Sequence, residues 1–132
     1  MNTTKKSLFI LVDDDTINNA VSRLTISNVA PSAEVVIFTD PRVALEFLMD
    51  FASYSTTPAI LLLNLNMPFM TGWEFLERFE TLGQQPRERI KIYILTASID
   101  DADRVRAENN SCVSGYLSKP LSSQMISMLL ER

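Results

Sequence analysis

Five short apolar runs alternate along the chain with stretches of helical periodicity. The runs are Leu8–Val12, Val35–Phe38, Ala59–Leu65, Ile90–Leu95 and Val113–Leu117. The first three are almost continuously apolar, which is typical of strands covered on both faces. This alternation predicts an α/β fold of (βα)5 type, with a doubly wound, five-stranded parallel sheet and helices on both sides.

Apolar residues at helical spacing mark four faces that we expect to pack on the sheet. They are Ile17, Ala20, Val21 and Leu24; Ala44, Phe47, Leu48 and Phe51; Phe75, Leu76, Phe79 and Leu82; and Leu121, Met125, Met128 and Leu129. Asp40 and Pro41 are the expected N-cap and first residue of the second helix.

Three polar stretches complete the pattern. Residues 100–109 have helical spacing, and only Ala102 and Val105 are expected to face inward. The connections 53–58 and 83–89 are expected to be polar surface loops.

Length and charge limit the classes of function. A chain of 132 residues fits one domain, which we take as residues 1–132 with no output domain. The net charge of −4 argues against binding to nucleic acid or an anionic membrane. The apolar run near the N-terminus is too short for a signal peptide or a membrane span, so we expect a cytoplasmic protein.

The lack of histidine and the single cysteine exclude further classes of site. The chain has no histidine, which excludes phosphohistidine and the usual serine-hydrolase and cysteine-protease triads. Its single cysteine, Cys112, excludes an intramolecular disulfide.

Polar side chains follow most of the predicted strands. Residues 13–15 are three aspartates after the first run, Asn64 lies near the end of the third, Thr96 follows the fourth, and Lys119-Pro120 comes shortly after the fifth. Because the carboxyl ends of parallel strands share one edge of a sheet, these side chains should converge there. Carboxylates suit Mg²⁺, whereas a hydroxyl and an ammonium bind phosphoryl oxygens. The side chains expected at this edge therefore indicate phosphate chemistry.

These segments resemble the receiver domain of response regulators, in its stand-alone CheY-like form. The matching segments, in chain order, are Ile10–Asp15, Leu63–Pro68, Met70–Gly72, Leu95–Ala97 and Leu117–Pro120. Five motifs in order are far more specific than any one of them. The resemblance implies a flavodoxin-like fold and a role in two-component, or phosphorelay, signal transduction.

The resemblance also assigns roles to the residues at the strand ends. Asp13 and Asp14 match the acidic pair that holds Mg²⁺, with Asp14 as the direct ligand, and Asn66 would offer its backbone carbonyl oxygen. Thr96 matches the hydroxyl that follows the phosphoryl group, and Lys119 matches the lysine that pairs with it.

The remaining roles implied by the resemblance concern switching and partners. Tyr116 occupies the position of the switch aromatic, which is coupled to the threonine of the pocket. The fourth helix, fifth strand and fifth helix form the family's partner surface, which here includes Asp103, Arg104, Tyr116 and the exposed side of 122–127. A core role for Tyr116 is an equal alternative.

The sequence departs from the family at the phosphoacceptor position, which is Asn64. No aspartate occurs between Asp50 and Asp100, so no shifted alignment restores the motif. An amide oxygen is a far poorer nucleophile than a carboxylate. The lost negative charge should weaken Mg²⁺ binding and leave Lys119 to pair with Asp13 or Asp14.

Our first hypothesis is a non-enzymatic pseudo-receiver that binds a sensor kinase, a phosphotransfer protein or an output protein without phosphorylation of an aspartate. An alternative is a phosphorylatable regulator in which Asn64 is engineered or is deamidated to aspartate. A third is a haloacid-dehalogenase-type phosphatase that uses Asp13, Asp15, Thr96 and Lys119. The acidic motif that such phosphatases carry after the lysine is missing, which argues against it.

Overall fold

Five parallel strands form one sheet in a computed structural model that describes residues 7–54 and 58–131. They are β1 (Leu8–Val12), β2 (Glu34–Phe38), β3 (Ala59–Leu63), β4 (Ile90–Thr96) and β5 (Val113–Ser118). The strand order is β2-β1-β3-β4-β5, and every neighbouring pair is parallel. The order reverses between β1 and β3, and open α/β sheets bind their ligands beyond such a switch point.

Six helices connect and follow the strands in the described part of the chain. They are α1 (Thr16–Val29), α2 (Pro41–Tyr54), α3 (Gly72–Glu80), α4 (Gln84–Arg89), α5 (Asp101–Glu108) and α6 (Ser123–Leu130). The short helix α4 is additional to the predicted pattern, so the fourth and fifth predicted helices are α5 and α6. Of the loop predicted at 53–58, residues 53 and 54 belong to α2, and residues 55–57 lie outside the described residues.

Two apolar cores cover the two faces of the sheet. Alternate residues of β1 point to opposite sides: Ile10 packs in the core with α2 and α3, and Phe9 packs in the core with α1 and α6. Phe75 of α3 and Ile126 of α6 are fully buried in these two cores. The predicted doubly wound α/β fold is confirmed.

The first helix presents the opposite face to the one expected from its pattern. Ile17 is 76% exposed and Leu24 is 64% exposed, whereas Asn19, Ser22 and Ile26 are buried. The cause lies at the start of the helix, where the Asp15 side chain accepts hydrogen bonds from the first turn. The Asn19 side chain also donates to the backbone carbonyl oxygen of residue 13 at 2.8 Å, which fixes the rotation of α1. The prediction of an inward apolar face was wrong.

Three smaller expectations also fail, one about secondary structure and two about burial. The segment 83–89 is not a loop, since it contains α4, which packs against α2 and β4. In α5, Ala102 and Val105 are exposed and Ala107 is buried, because this helix packs chiefly on the edge strand β5. Met128 of α6 is half exposed, at 47%.

Candidate functional site

The predicted site residues meet at the carboxyl edge of the sheet, as the strand ends require. The Asn64 backbone N–H donates to Val12 O at 3.0 Å, so β1 and β3 remain paired up to the site. The Lys119 backbone N–H donates to Thr96 O at 2.8 Å, which aligns the ends of β4 and β5. The backbone thus holds all four strand ends in register around one pocket.

An ion pair occupies one side of this pocket. Lys119 Nζ lies 2.8 Å from Asp13 Oδ2, and both side chains are largely buried. The same carboxylate accepts hydrogen bonds from the Asn18 side chain and from the backbone N–H of Asp15, each at 2.9 Å. Asp13 is therefore the partner of Lys119, which confirms one of the two pairings expected from the sequence. We call Asp13, Thr96 and Lys119 the lysine side.

A neutral carboxamide occupies the other side. Asn64 is 8% exposed, and its Nδ2 donates to the backbone carbonyl oxygen of Asn66 at 2.9 Å. The same nitrogen lies 3.5 Å from Asp14 Oδ1, at the limit of a hydrogen bond. Asp14 and Asn66 are both exposed at the pocket mouth. We call Asp14, Asn64 and Asn66 the amide side.

Two of the three groups expected to hold Mg²⁺ already have donors from the protein. The Asn66 carbonyl oxygen faces the Asn64 amide nitrogen, and Asp13 is paired with Lys119. No group of three or more histidine, cysteine, aspartate or glutamate side chains is placed to hold a metal within residues 7–54 and 58–131. Mg²⁺ prefers several oxygen ligands in octahedral geometry, often including carboxylates. The donor set therefore fits a tightly held Mg²⁺ poorly.

Thr96 and Tyr116 lie where a coupled hydroxyl and aromatic were expected, although no direct bond joins them. Thr96 is fully buried, and its hydroxyl oxygen accepts a hydrogen bond from the Ser98 backbone N–H at 3.0 Å. The Tyr116 ring packs against the core, and its buried hydroxyl lies near the Ser98 side chain but has no partner in hydrogen-bond geometry. Burial, followed by the nearby Asp103 carboxylate, raises the pKa of the Tyr116 phenol.

The predicted partner surface is mostly polar and internally bonded. Asp103 accepts a hydrogen bond from the Ser98 hydroxyl at 2.9 Å, which ties the loop after β4 to α5. Arg104 lies 2.9 Å from Glu108 and 3.5 Å from Asp101 within α5. Exposed ion pairs of this kind contribute little to stability.

Two residues had no role assigned from the sequence: Gly72, which packs against the end of β3 at the pocket, and Phe69, in the loop between Asn66 and α3. A Cβ atom at Gly72 would lie 2.7 Å from Asn64 O, so only glycine allows α3 to approach the end of β3 this closely. Phe69 has a φ of 70°, in the left-handed region that is unfavourable for a bulky residue. Its exposed ring lies 4.3 Å from the Arg42 guanidinium carbon. The glycine motif was a usable signal for the first residue, but nothing in the sequence marks the second.

Comparison with known proteins places the chain in a family. The family model described as the response regulator receiver domain matches residues 9–131, so the chain belongs to that family. It is thus a receiver domain of two-component signalling, with the CheY-like fold expected from its motifs. No curated protein sequence gives a significant match to the chain.

Several solved structures share this fold over almost the whole chain. A two-component response regulator from Cytophaga hutchinsonii has a TM-score of 0.88 at 27% identity, covering 97% of this chain and 96% of that chain. A receiver protein from Dyadobacter fermentans DSM 18053 has a TM-score of 0.85 at 27% identity, with 96% of each chain covered. The bacteriophytochrome response regulator RtBRR has a TM-score of 0.76 at 26% identity, covering 96% and 77%.

No helix in the described ranges is long and apolar enough to cross a membrane.

Proposed function

We propose that this receiver regulates a protein partner in the cytoplasm without accepting a phosphoryl group at position 64. The observation that carries the proposal is the Asn64 carboxamide, which lies at the end of β3 and donates to the Asn66 carbonyl oxygen at 2.9 Å. Formation of an acyl phosphate needs a carboxylate nucleophile, which the amide does not supply. The protein therefore acts as a binding module and not as an enzyme.

Weak binding of Mg²⁺ is part of the same proposal. If bound, the ion would use Asp13, Asp14 and the Asn66 backbone carbonyl oxygen, and it would supply positive charge beside a phosphoryl group. Asp13 is already paired with Lys119, and the Asn64 amide contributes no negative charge. The partner is thus expected to bind in the absence of divalent ions.

The partner is a sensor kinase, a phosphotransfer protein or an output protein, and we expect contact through the face formed by α5, β5 and α6. The exposed apolar stripe on α1, formed by Ile17, Val21 and Leu24, is a second candidate surface. A two-hybrid selection can identify the partner, after which Arg104→Glu and Leu24→Glu discriminate the surfaces. Loss of binding by Leu24→Glu alone would contradict the first choice.

The phosphatase alternative is opposed by the position of Asp15. Its carboxylate accepts hydrogen bonds from the backbone N–H groups of Ile17 and Asn18, at 3.0 and 3.1 Å. A carboxylate engaged as the N-cap of α1 is held by the first turn of the helix, which leaves it poorly suited to the acid–base role that a phosphatase would require of it. The N-cap role is sufficient to explain an aspartate at this position.

The test of the proposal is an intact-mass measurement after incubation with acetyl phosphate and Mg²⁺. Three proteins are compared: the chain itself, Asn64→Asp, and the control Asn28→Asp, which adds the same carboxylate on the exposed surface of α1. We expect only Asn64→Asp to gain the mass of a phosphoryl group. Modification of the unaltered chain to a comparable extent would overturn the proposal and favour the phosphorylatable alternative. If Asn64→Asp also stays unmodified, the lysine side no longer supports phosphorylation.

A further inference from the structure

A narrow cavity lies between α1 and the sheet, and it shares Asp13 and Asn64 with the pocket at the sheet edge. Its volume is about 10 Å³, and its polar lining comes from Asp13, Asn18, Asn19, Ser22 and Asn64. All of these residues are buried except Asn18, which is partly exposed. The cavity therefore joins the polar inner face of α1 to the base of the pocket.

Two buried polar atoms in this lining have no hydrogen-bond partner within the protein: Asn19 Oδ1 and Ser22 Oγ. The Asn19 amide nitrogen is already used, because it donates to Asp13 O at 2.8 Å. That bond fixes the orientation of the carboxamide and leaves its oxygen as the unpaired atom. Buried polar atoms are almost always paired with protein or with ordered water.

We propose that the cavity binds one internal water molecule that bridges Asn19 and Ser22. A cavity needs roughly 10–15 Å³ and two to four polar partners to hold a water. The water donates one hydrogen to Asn19 Oδ1 and exchanges a hydrogen bond with the Ser22 hydroxyl. Asp13, which also lines the cavity, supplies oxygen atoms that can accept its second hydrogen.

This water explains how α1 can turn a polar face toward the sheet. Asn19 and Ser22 occupy positions where helices of this kind normally bury apolar side chains. With the water in place, both side chains are satisfied and α1 is connected to the Asp13 end of the pocket. The inference does not depend on whether position 64 is phosphorylated.

The first test is a high-resolution crystal structure of the unaltered protein. We expect a density peak within about 2.6–3.2 Å of both Asn19 Oδ1 and Ser22 Oγ, with the geometry of a water. A peak with five or more oxygen ligands near about 2.4 Å would identify a cation and overturn the assignment. An empty cavity would overturn the proposal entirely.

The second test uses Ser22→Ala, with Ser27→Ala on the exposed side of the same helix as the matched control. Both changes raise helix propensity equally, but only the first removes a partner of the water. We expect the melting temperature of Ser22→Ala to lie about 4 °C below that of Ser27→Ala. If the hydroxyl is unpaired in a dry cavity, Ser22→Ala will melt at the same or a higher temperature, and the proposal fails.

Discussion

The two sides of the pocket stabilise their buried polar groups in different ways. On the lysine side, opposite charges lie 2.8 Å apart and are largely buried. On the amide side, the neutral Asn64 donates to a backbone oxygen beside an exposed aspartate. The comparison shows why the pocket tolerates asparagine at position 64: Lys119 does not depend on a charge there, because Asp13 compensates it.

The largest effect of a substitution on stability is expected on the lysine side. Lys119→Met leaves the buried Asp13 carboxylate without its cation, so we expect the free energy of unfolding at pH 7 to fall by about 3 kcal/mol. Urea denaturation measures this loss. Lys91→Met, at an exposed position of β4, is the control. Equal losses in the two variants would mean that the ion pair contributes no specific stability.

A smaller effect is expected on the amide side. Asn64→Asp removes the donor to the Asn66 carbonyl oxygen and places a second carboxylate near Asp14, which should cost about 1–2 kcal/mol without divalent ions. Mg²⁺ should restore the melting temperature of this variant because it binds the folded state. The unaltered chain should respond little to Mg²⁺. Equal stabilisation of both proteins by Mg²⁺ would contradict the proposed difference between the two sides.

The buried Thr96 hydroxyl, on the lysine side, is expected to contribute about 1 kcal/mol to the free energy of unfolding. Thr96→Val keeps the shape of the side chain but leaves the Ser98 backbone N–H without its acceptor. Thr96→Ser, which keeps the hydroxyl, separates this bond from the packing of the methyl group. Chemical denaturation of both variants measures the difference. A valine variant as stable as the original would show that water replaces the bond.

The smallest effect at neutral pH is expected at Tyr116, whose buried hydroxyl has no partner. Tyr116→Phe should change stability by less than about 0.5 kcal/mol at pH 7. Burial raises the pKa of this phenol, so the folded state keeps its proton more tightly than the unfolded state does. As the pH rises above about 10, the tyrosine protein should therefore lose stability relative to Tyr116→Phe. Parallel loss in both proteins would argue against a raised pKa.

The sheet could be predicted from the sequence because its signal is local and strong. Almost continuous apolar runs correctly mark the buried strands β1 and β3, but the equally apolar β2 is a half-buried edge strand and the more mixed β4 is buried inside the sheet. The strand ends bring the polar residues to one edge. The face of α1 could not be predicted in this way. Spacing identifies an apolar stripe, but the Asp15 cap and the bond from Asn19 to the residue 13 carbonyl decide which way it points.

The sequence predicted which residues form the site better than it predicted the hydrogen bonds and ion pairs among them. Motif and strand-end position indicated Asp13, Asn64, Thr96 and Lys119. The choice of Asp13 as the partner of Lys119 depends on side-chain geometry that the sequence leaves open. The same holds for the amide nitrogen of Asn64, which turns toward the Asn66 carbonyl oxygen.

The most direct test of the claim that this receiver works without phosphorylation at position 64 monitors the pocket residues by amide NMR. Beryllofluoride with Mg²⁺ coordinates an aspartate carboxylate in the shape of an acyl phosphate and requires that carboxylate. We predict that it shifts the signals of Thr96, Tyr116 and Lys119 in Asn64→Asp and leaves those of the unaltered chain in place. Matching shifts in the unaltered chain would contradict the account, because its pocket would then respond to a phosphoryl mimic without an aspartate at position 64.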